Sequence, residues 1–423
     1  MKESILHYVW QYKLFLQDKL QTTDGEPVEI IDTGKLNTDA GPDFFNAKVR
    51  INNVLWAGNI EIHTCSSDWN RHHHQTDKAY SNVILHVAAT ADTDIFTADG
   101  KKIPQLVLNY PEHINHNYEQ LLNEQKWIAC ADKIQNIPNI VIESWKQALL
   151  AERLQQKTAA IAQLQNANMQ HWEESFYVVL ARSFGFGVNS QIFESLAKSL
   201  PLSVLGKQKD SLHDIEALLF GQSGLIPENT DDQYTADLRK TYDFLRKKYN
   251  LQPVTGAQWK LLRLRPDNFP HIRIAQFAAL VHSSSKLFSK IIDNPELTYL
   301  RALFACEPSE YWQTHYVFGH ESKKKTKRIG IKTIDVLLIN TIVPFLFWYG
   351  EQKQQQTCKD KALELLEQLP PEKNAVIDGW IKLGLTATSA YDTQALLQLK
   401  KMYCEDKKCL RCRIGHKIVE LKN

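Results

Sequence analysis

Acidic residues and histidines are concentrated between residues 41 and 86 of this 423-residue chain. Asp43 precedes a strand-like run, and Glu61 and His63 stand two positions apart in the next such run. Because successive side chains of a strand point to opposite faces, Glu61 and His63 share a face. If the two runs form a hairpin, Asp43 falls near Glu61, and the pair could bind magnesium or manganese. Such ions take oxygen ligands and activate water for attack on a phosphodiester.

Further polar side chains follow this pair, and we expect them to surround it: Asp68, His72, His74, Asp77 and His86. Simpler explanations exist for each feature. Asp43 could only shape the turn after Gly41 and Pro42. Glu61 and His63 could face solvent from an amphipathic strand. The histidines of residues 72–74 could form a solvated loop, and His86 could be a hydrogen-bonded core residue. Their joint occurrence within about 45 residues favours a functional site.

Short strands must position these side chains. The pattern predicts an opening helix from about Glu3 to Leu20, and then strands at Val28–Asp32, Phe44–Ile51, Val54–His63, Val83–Ala88 and Ile103–Leu108. Asn52 and Asn53 form a plausible tight turn between two of them. Helical patterns dominate after Tyr110. We therefore predict an α+β protein, with an α/β module over residues 1–125 and a larger all-α region over residues 126–423.

Pro42-Asp43 followed by Glu61-Ile62-His63 resembles the PD-(D/E)xK signature of restriction-endonuclease-like nucleases. The resemblance implies a restriction-endonuclease-like module with a mixed sheet, in which Asp43 and Glu61 bind metal. His63 takes the position of the lysine that orients or activates water, which is a departure from the family pattern. The next stretch is similar to the mismatch-repair endonuclease branch, which also places histidines after its acidic strand. That similarity implies supporting roles for Asp68, His72, His74, Asp77 and His86.

The whole chain also resembles an uncharacterised bacterial family, a domain of unknown function. The stretches that carry this resemblance are GPDF, GNIEIH, SSDW, VILHV and CLRCRIG. They come from both ends of the chain, so we expect the resemblance to extend over its full length. It implies no activity.

Three cysteines near the C-terminus form a second candidate metal site. Cys404, Cys409 and Cys412 are spaced C-x4-C-x2-C, with His416 four residues further on. Two thiolates on one turn are typical of a zinc knuckle. His416 could complete the ligand set, as could Cys358 or Cys130 from a distance. We predict a structural zinc site, with an iron–sulfur cluster as the alternative; free thiols remain the simplest explanation.

The formal net charge of +2 excludes a strong overall field, so any contact with a polyanion must be local. A basic run supplies candidate contacts to nucleic-acid phosphates: Lys323, Lys324, Lys325, Lys327 and Arg328. Such a run is more often a solvated loop. We find no secretory signal and no apolar run long enough to span a membrane, which predicts a cytoplasmic protein without membrane contact. The oligomeric state is undetermined.

The sequence lacks a Walker A motif, a G-x-G-x-x-G loop after a strand and a G-x-S-x-G elbow, which disfavours ATPase, dehydrogenase and α/β-hydrolase functions. The prediction is a metal-dependent, nuclease-like protein acting on DNA or RNA phosphodiesters. The alternative is a non-catalytic binding or scaffold protein that retains a degenerate nuclease-like fold.

Overall fold

The computed structural model describes residues 3–167 and 171–422. The chain divides into two compact units. The first, here the sheet unit, comprises residues 1–145 and 399–423; the second, here the helical unit, comprises residues 146–398. The domain boundary predicted near residue 125 stays a prediction. It differs from this division because the last segment of the chain packs with the N-terminal residues.

The sheet unit contains a six-stranded mixed sheet, which confirms the predicted α+β class. Its strands are β1 (Val28–Asp32), β2 (Lys35–Leu36), β3 (Phe44–Ile51), β4 (Val54–Cys65), β5 (Val83–Thr90) and β6 (Gln105–Val107). The order is β1-β3-β4-β5-β6, with β2 paired to β3. Pairing is antiparallel from β1 to β4 and parallel from β4 to β6.

The β3–β4 hairpin is set by its turn. Asn52 and Asn53 have φ angles of 49° and 66°, values that asparagine tolerates better than most residues. The first four residues of β4 are exposed, whereas residues 58–63 are all buried. Two faces are covered there, as is usual where a strand pairs in parallel with its neighbour. Glu61 and His63 are therefore only 5% and 1% exposed, so the alternative that they face solvent is wrong.

Helices of the sheet unit lie at Glu3–Gln11, Asp68–Arg71, Glu112–Asn123 and Arg413–Glu420. The opening helix was predicted to reach Leu20 but ends at Gln11, and Lys13 adopts a left-handed conformation with φ 51°. Short 3-10 turns occur at His74–Thr76, Lys78–Tyr80, Ile134–Asn136 and Cys409–Arg411, and Lys400–Cys404 forms a π-helical turn.

The helical unit confirms the predicted larger helical region. A long helix, Asn139–Ala167, begins in the sheet unit and continues into this one. Others follow at Trp172–Phe184, Ser190–Ser199, Leu202–Gly206, Leu212–Ser223, Gln233–Tyr249, Pro270–Ser283, Leu287–Asp293, Leu297–Phe304, Tyr311–Thr314, Ile331–Leu337, Val343–Gln352, Gln356–Gln368, Ala375–Lys382 and Ala390–Leu399. The remaining elements are 3-10 turns at Gly256–Gln258 and Pro266–Asn268, a π-helical turn at Leu338–Ile342, and paired strands at His315–Val317 and His320–Glu321.

One continuous helical stretch, Ile331–Gln352, is long and apolar enough to cross a membrane. It has 22 residues, and its most apolar window has a mean hydropathy of 1.6. The sequence alone indicated no apolar run long enough to span a membrane, whereas this helical stretch has the length to do so. Because 61% of that window is buried inside the protein, a core helix explains it equally well, and it is weak evidence for a membrane span. The predicted cytoplasmic location stays a prediction.

Candidate metal centre

Asp43 and Glu61 are tied together through the backbones of their strands. The backbone N–H of Asp43 donates to Glu61 Oε2 at 3.1 Å, and the backbone N–H of Ile62 donates to Asp43 Oδ2 at 2.9 Å. Phe44 pairs with Ile60 across the hairpin, which places Asp43 beside Glu61. The structure therefore brings together the two carboxylates that the sequence predicted as a pair, and each has one oxygen fixed by an amide.

The second oxygen of Glu61 faces histidines. Glu61 Oε1 lies 3.3 Å from His74 Nε2 and 3.6 Å from His63 Nε2. Burial raises the pKa of Glu61 to about 7; the hydrogen bond from His74 opposes this shift, and the charge of Asp43 adds to it. A ligand that removed the proton from Glu61 would have to compensate for this burial.

His63 contacts two further histidines through its two ring nitrogens. Its Nδ1 lies 2.9 Å from His86 Nε2, and its Nε2 lies 3.2 Å from His72 Nδ1. Burial lowers the pKa values of His63 and His86 to about 3, with smaller contributions from the neighbouring histidines. Both rings are therefore neutral near pH 7, and His63 is a weak base but an available metal ligand.

A short loop delivers His72 and His74 to the same place. His73 between them has a left-handed backbone, with φ 63°, and its side chain is exposed. The ring of His74 stacks on that of Tyr80, with centroids 3.8 Å apart. One nitrogen from each of His63, His72 and His74 lies within 4.8 Å of the others. Of the histidine triplet, His74 is sheltered from solvent, whereas His72 is exposed but has one ring nitrogen beside His63, and His73 is exposed and outside this group.

The opening helix adds two residues that the sequence interpretation missed. His7 Nε2 lies 3.2 Å from Asp43 Oδ2 and 3.6 Å from Glu3. Burial lowers the pKa of His7, but hydrogen bonds and charges from Asp43 and Glu3 outweigh it and raise the pKa to about 9. The four-residue spacing of Glu3 and His7 was the available signal, because it places both on one face of a helix.

Asp68 and Asp77 shape the loop backbone. Asp68 accepts from the backbone N–H of Cys65 at 3.3 Å and pairs with Arg71 at 2.6 Å. Asp77 accepts from the backbone N–H of Ala79 at 2.8 Å and so caps a 3-10 turn. These contacts support the loop that presents His72 and His74.

Four thiols in the sheet unit interact electrostatically, although they do not lie within 4.8 Å of one another as a group: Cys130, Cys404, Cys409 and Cys412. Burial raises the pKa of Cys130 to about 12 and that of Cys409 to about 11, and the charges of the neighbouring thiols add to both shifts. His416 instead has Nε2 2.6 Å from the Leu410 carbonyl oxygen. Cys358 lies in the helical unit beside Gln355. Of the candidate fourth ligands, Cys130 is the one that interacts with the other thiols.

The basic run is only partly available to a ligand. Lys325 pairs with Asp267 at 2.7 Å, and Arg328 lies 4.0 Å from Glu307. Lys327 is 4% exposed, and its ammonium group donates to the carbonyl oxygens of Trp312 and His315. A phosphate could not reach Lys327 in this conformation, so it does not belong to the predicted nucleic-acid surface, whereas Lys323 and Lys324 are exposed.

Fold and site together define an α+β protein whose mixed sheet holds a carboxylate pair, one buried and one half-buried, next to a group of histidines. The chain belongs to the family described as "Protein of unknown function (DUF2851)", whose model matches residues 3–375. This match confirms the predicted membership of an uncharacterised family, and the cysteine-rich tail lies outside the matched residues. No curated protein and no solved structure matches the chain.

Proposed function

We propose that the chain is a metal-dependent, nuclease-like hydrolase of DNA or RNA phosphodiesters, built on a restriction-endonuclease-like sheet unit. The observation that carries this proposal is the pair of carboxylates, Asp43 and Glu61, each of which accepts a hydrogen bond from a backbone amide on the other's strand or next to it. Placing two carboxylates side by side is unfavourable unless a cation or proton offsets the repulsion. His7 beside Asp43 and the raised pKa of Glu61 supply part of that offset, and a bound divalent cation would supply the rest.

Asp43 and Glu61 would hold magnesium or manganese through the oxygens that the backbone amides leave free. A bound divalent ion of this type lowers the pKa of a water ligand and neutralises charge that develops on phosphate. His63 would orient the water, because a neutral ring with a pKa of about 3 is too weak a base to take a proton efficiently. The cationic His7 would place a positive charge beside Asp43.

The exposed Lys323 and Lys324 are the residues of the basic run that we retain as proposed contacts to nucleic-acid phosphates. The C-terminal cysteines remain a predicted structural site for zinc, with an iron–sulfur cluster as the alternative. In that prediction Cys130 now joins Cys404, Cys409 and Cys412 in place of His416.

A non-catalytic binding or scaffold protein is the second candidate function. Histidine at the position of the expected lysine favours it, because His63 is buried and neutral and supplies no positive charge for the reaction. The two functions share the same fold and differ in whether phosphodiesters are cleaved.

The test compares wild type, Asp43→Asn and Asp39→Asn on single- and double-stranded DNA and RNA with magnesium or manganese. Asparagine at position 43 still offers an oxygen to the Ile62 N–H, so the hairpin is retained. Asp39 is exposed in the same loop and is the matched control. We expect Asp43→Asn to lose roughly 100-fold or more of the cleavage rate, the loss typical of removing an electrostatic catalytic group. Equal cleavage by all three proteins would rule out this site, and no cleavage by any would favour the scaffold function.

A further inference from the structure

The histidines around Glu61 are not explained by a hard cation. Magnesium takes oxygen ligands and keeps several waters, whereas imidazole nitrogen suits zinc, iron, copper and nickel. At this site one ring nitrogen from each of His63, His72 and His74 lies within 4.8 Å of the others, and Glu61 Oε1 lies beside two of these rings, those of His63 and His74. The donor set on this side is therefore mainly nitrogen.

The spacing of these donors matches that of ligands around one small ion. Three separations between neighbouring donors are 3.3 Å from Glu61 Oε1 to His74 Nε2, 3.6 Å from the same oxygen to His63 Nε2, and 3.2 Å from His63 Nε2 to His72 Nδ1. Tetrahedral zinc has bonds of roughly 2.0–2.2 Å to nitrogen and oxygen, which puts neighbouring donors about 3.4 Å apart. All three measured separations lie near that value.

We propose that His63, His72 and His74 bind a divalent ion of the zinc class, and that Glu61 Oε1, beside His63 and His74, moves in to complete the ligand set. This inference rests on the proposed function for the reaction of the site, and it names the kind of ion that the histidine side takes. Glu61 would use Oε1 toward this ion while Oε2 stays on the Asp43 amide. This is the oxygen that the proposed function assigns to magnesium or manganese, so Oε1 would be shared by the two ions and would connect the histidine position to the aspartate.

The surrounding residues hold the ligands in this arrangement. His86 is fully buried on β5, next to Glu61 in the strand pairing, and contacts the ring nitrogen of His63 that points away from the other donors. A contact of this type fixes the tautomer and orientation of a metal-binding histidine. Tyr80 fixes the ring of His74 by stacking. The left-handed backbone of His73 lets both of its neighbours place a ring nitrogen near His63.

The proposal is tested by the zinc affinity of purified, metal-stripped protein. The affinity is measured by competition with a chromophoric chelator in the absence of nucleic acid. We expect wild type to bind one zinc ion at this site with a dissociation constant in the micromolar range or below. His72→Asn and His74→Asn should each weaken zinc binding at least 10-fold, because replacing even a residue that only supports a metal ligand typically lowers metal affinity 10- to 100-fold. His73→Asn is the matched control, because the side chain is exposed and asparagine tolerates its φ of 63°.

To separate this site from the cysteines, the measurement is made in a Cys409→Ser, Cys412→Ser background as well as in wild type. Equal zinc affinity of the His72, His73 and His74 variants in that background would overturn the proposal and indicate a hydrogen-bonded group of neutral imidazoles instead. Zinc binding that depends on His72 and His74 without any cleavage would support this inference and contradict the proposed function. Cleavage that depends on Asp43, with unchanged zinc affinity in the histidine variants, would support the proposed function and contradict this inference.

Discussion

Each oxygen of the Glu61 carboxylate has a different neighbour, and this difference defines the site at the scale of single residues. Oε2 accepts the Asp43 amide, and Oε1 faces His74 and His63. The backbone amide orders the carboxylate without occupying both oxygens. Glu61 can therefore serve the hairpin and a bound ion together, which explains why a buried acid is compatible with the fold.

Another single residue, His271 of the helical unit, should make the stability of the fold depend on pH. It is 6% exposed and lies near the aromatic rings of Trp312 and Phe318. Burial lowers the pKa of His271 from 6.5 to about 4. Because the folded-state pKa is below the unfolded value, the stabilisation from the neutral ring is present above pH 6.5 and is lost as the pH falls from 6.5 toward 4.

Because of His271, we expect the free energy of unfolding to fall by about 2 kcal/mol when the pH is lowered from 6.5 to 5. The slope is about 1.4 kcal/mol for each pH unit. Urea unfolding at both pH values measures this loss. His271→Phe should reduce the loss by that amount, whereas His282→Phe at the end of the same helix should leave it unchanged. Identical pH dependence in wild type and His271→Phe would contradict the assignment.

Close packing between two helices decides which residues are tolerated at the scale of elements. Gly221 lies on the helix Leu212–Ser223, and a Cβ atom there would fall 2.0–2.4 Å from ring atoms of Tyr242 on the helix Gln233–Tyr249. Gly206, at the end of another helix, has no neighbouring atom within 4 Å of such a Cβ. Close packing against Tyr242 therefore requires glycine at position 221, whereas there is space for a side chain at position 206.

Gly221→Ala should lower the free energy of unfolding by about 1–3 kcal/mol. Alanine gains about 1 kcal/mol of helix propensity over glycine, but displacing a packed aromatic ring costs more. Thermal and urea unfolding measure the difference. Gly206→Ala is the control and should be neutral or slightly stabilising. A stabilised Gly221→Ala protein would mean that Tyr242 moves aside at little cost.

At the scale of the whole molecule, the C-terminal segment completes the sheet unit. Ile414, Ile418 and Val419 of the last helix are at most 1% exposed. Asn117, on the helix Glu112–Asn123, is fully buried and donates to the carbonyl oxygens of Val419 and Leu421 at 3.3 and 2.9 Å. Residues about 300 positions apart in the sequence are therefore part of one core.

Asn117→Ala should destabilise the sheet unit by about 1–3 kcal/mol, because two carbonyl oxygens at the end of the last helix lose their buried donor. Asn115→Ala, which removes only a bond to Glu119 on the surface of the same helix, should cost less than about 0.5 kcal/mol. Hydrogen exchange of residues 413–420 provides a local measurement, with faster exchange expected in Asn117→Ala. Equal exchange in both variants would show that the helix does not depend on Asn117.

Local pattern was sufficient to predict many elements. Val28–Asp32 and Phe44–Ile51 have the predicted bounds, because alternating burial and the Asn52-Asn53 turn are properties of neighbouring residues. The opening helix was predicted nine residues too long, since its amphipathic pattern continues past the point where the chain turns at Lys13. Glu3 and His7 were not connected to the site, because nothing local indicates that their helix faces Asp43.

By itself, the sequence determined the α+β class, the hairpin and the pairing of Asp43 with Glu61, because strand parity and a two-residue turn place these side chains together. Only the tertiary structure decided which histidines join them: His72 and His74 each have a ring nitrogen near that of His63, His73 does not belong to this group, and His86 contacts the other ring nitrogen of His63. It also decided that Cys130 lies near the C-terminal thiols. The physical reason is that parallel strand pairing, loop conformation and docking of the chain ends depend on contacts between distant residues, which periodicity and spacing do not encode.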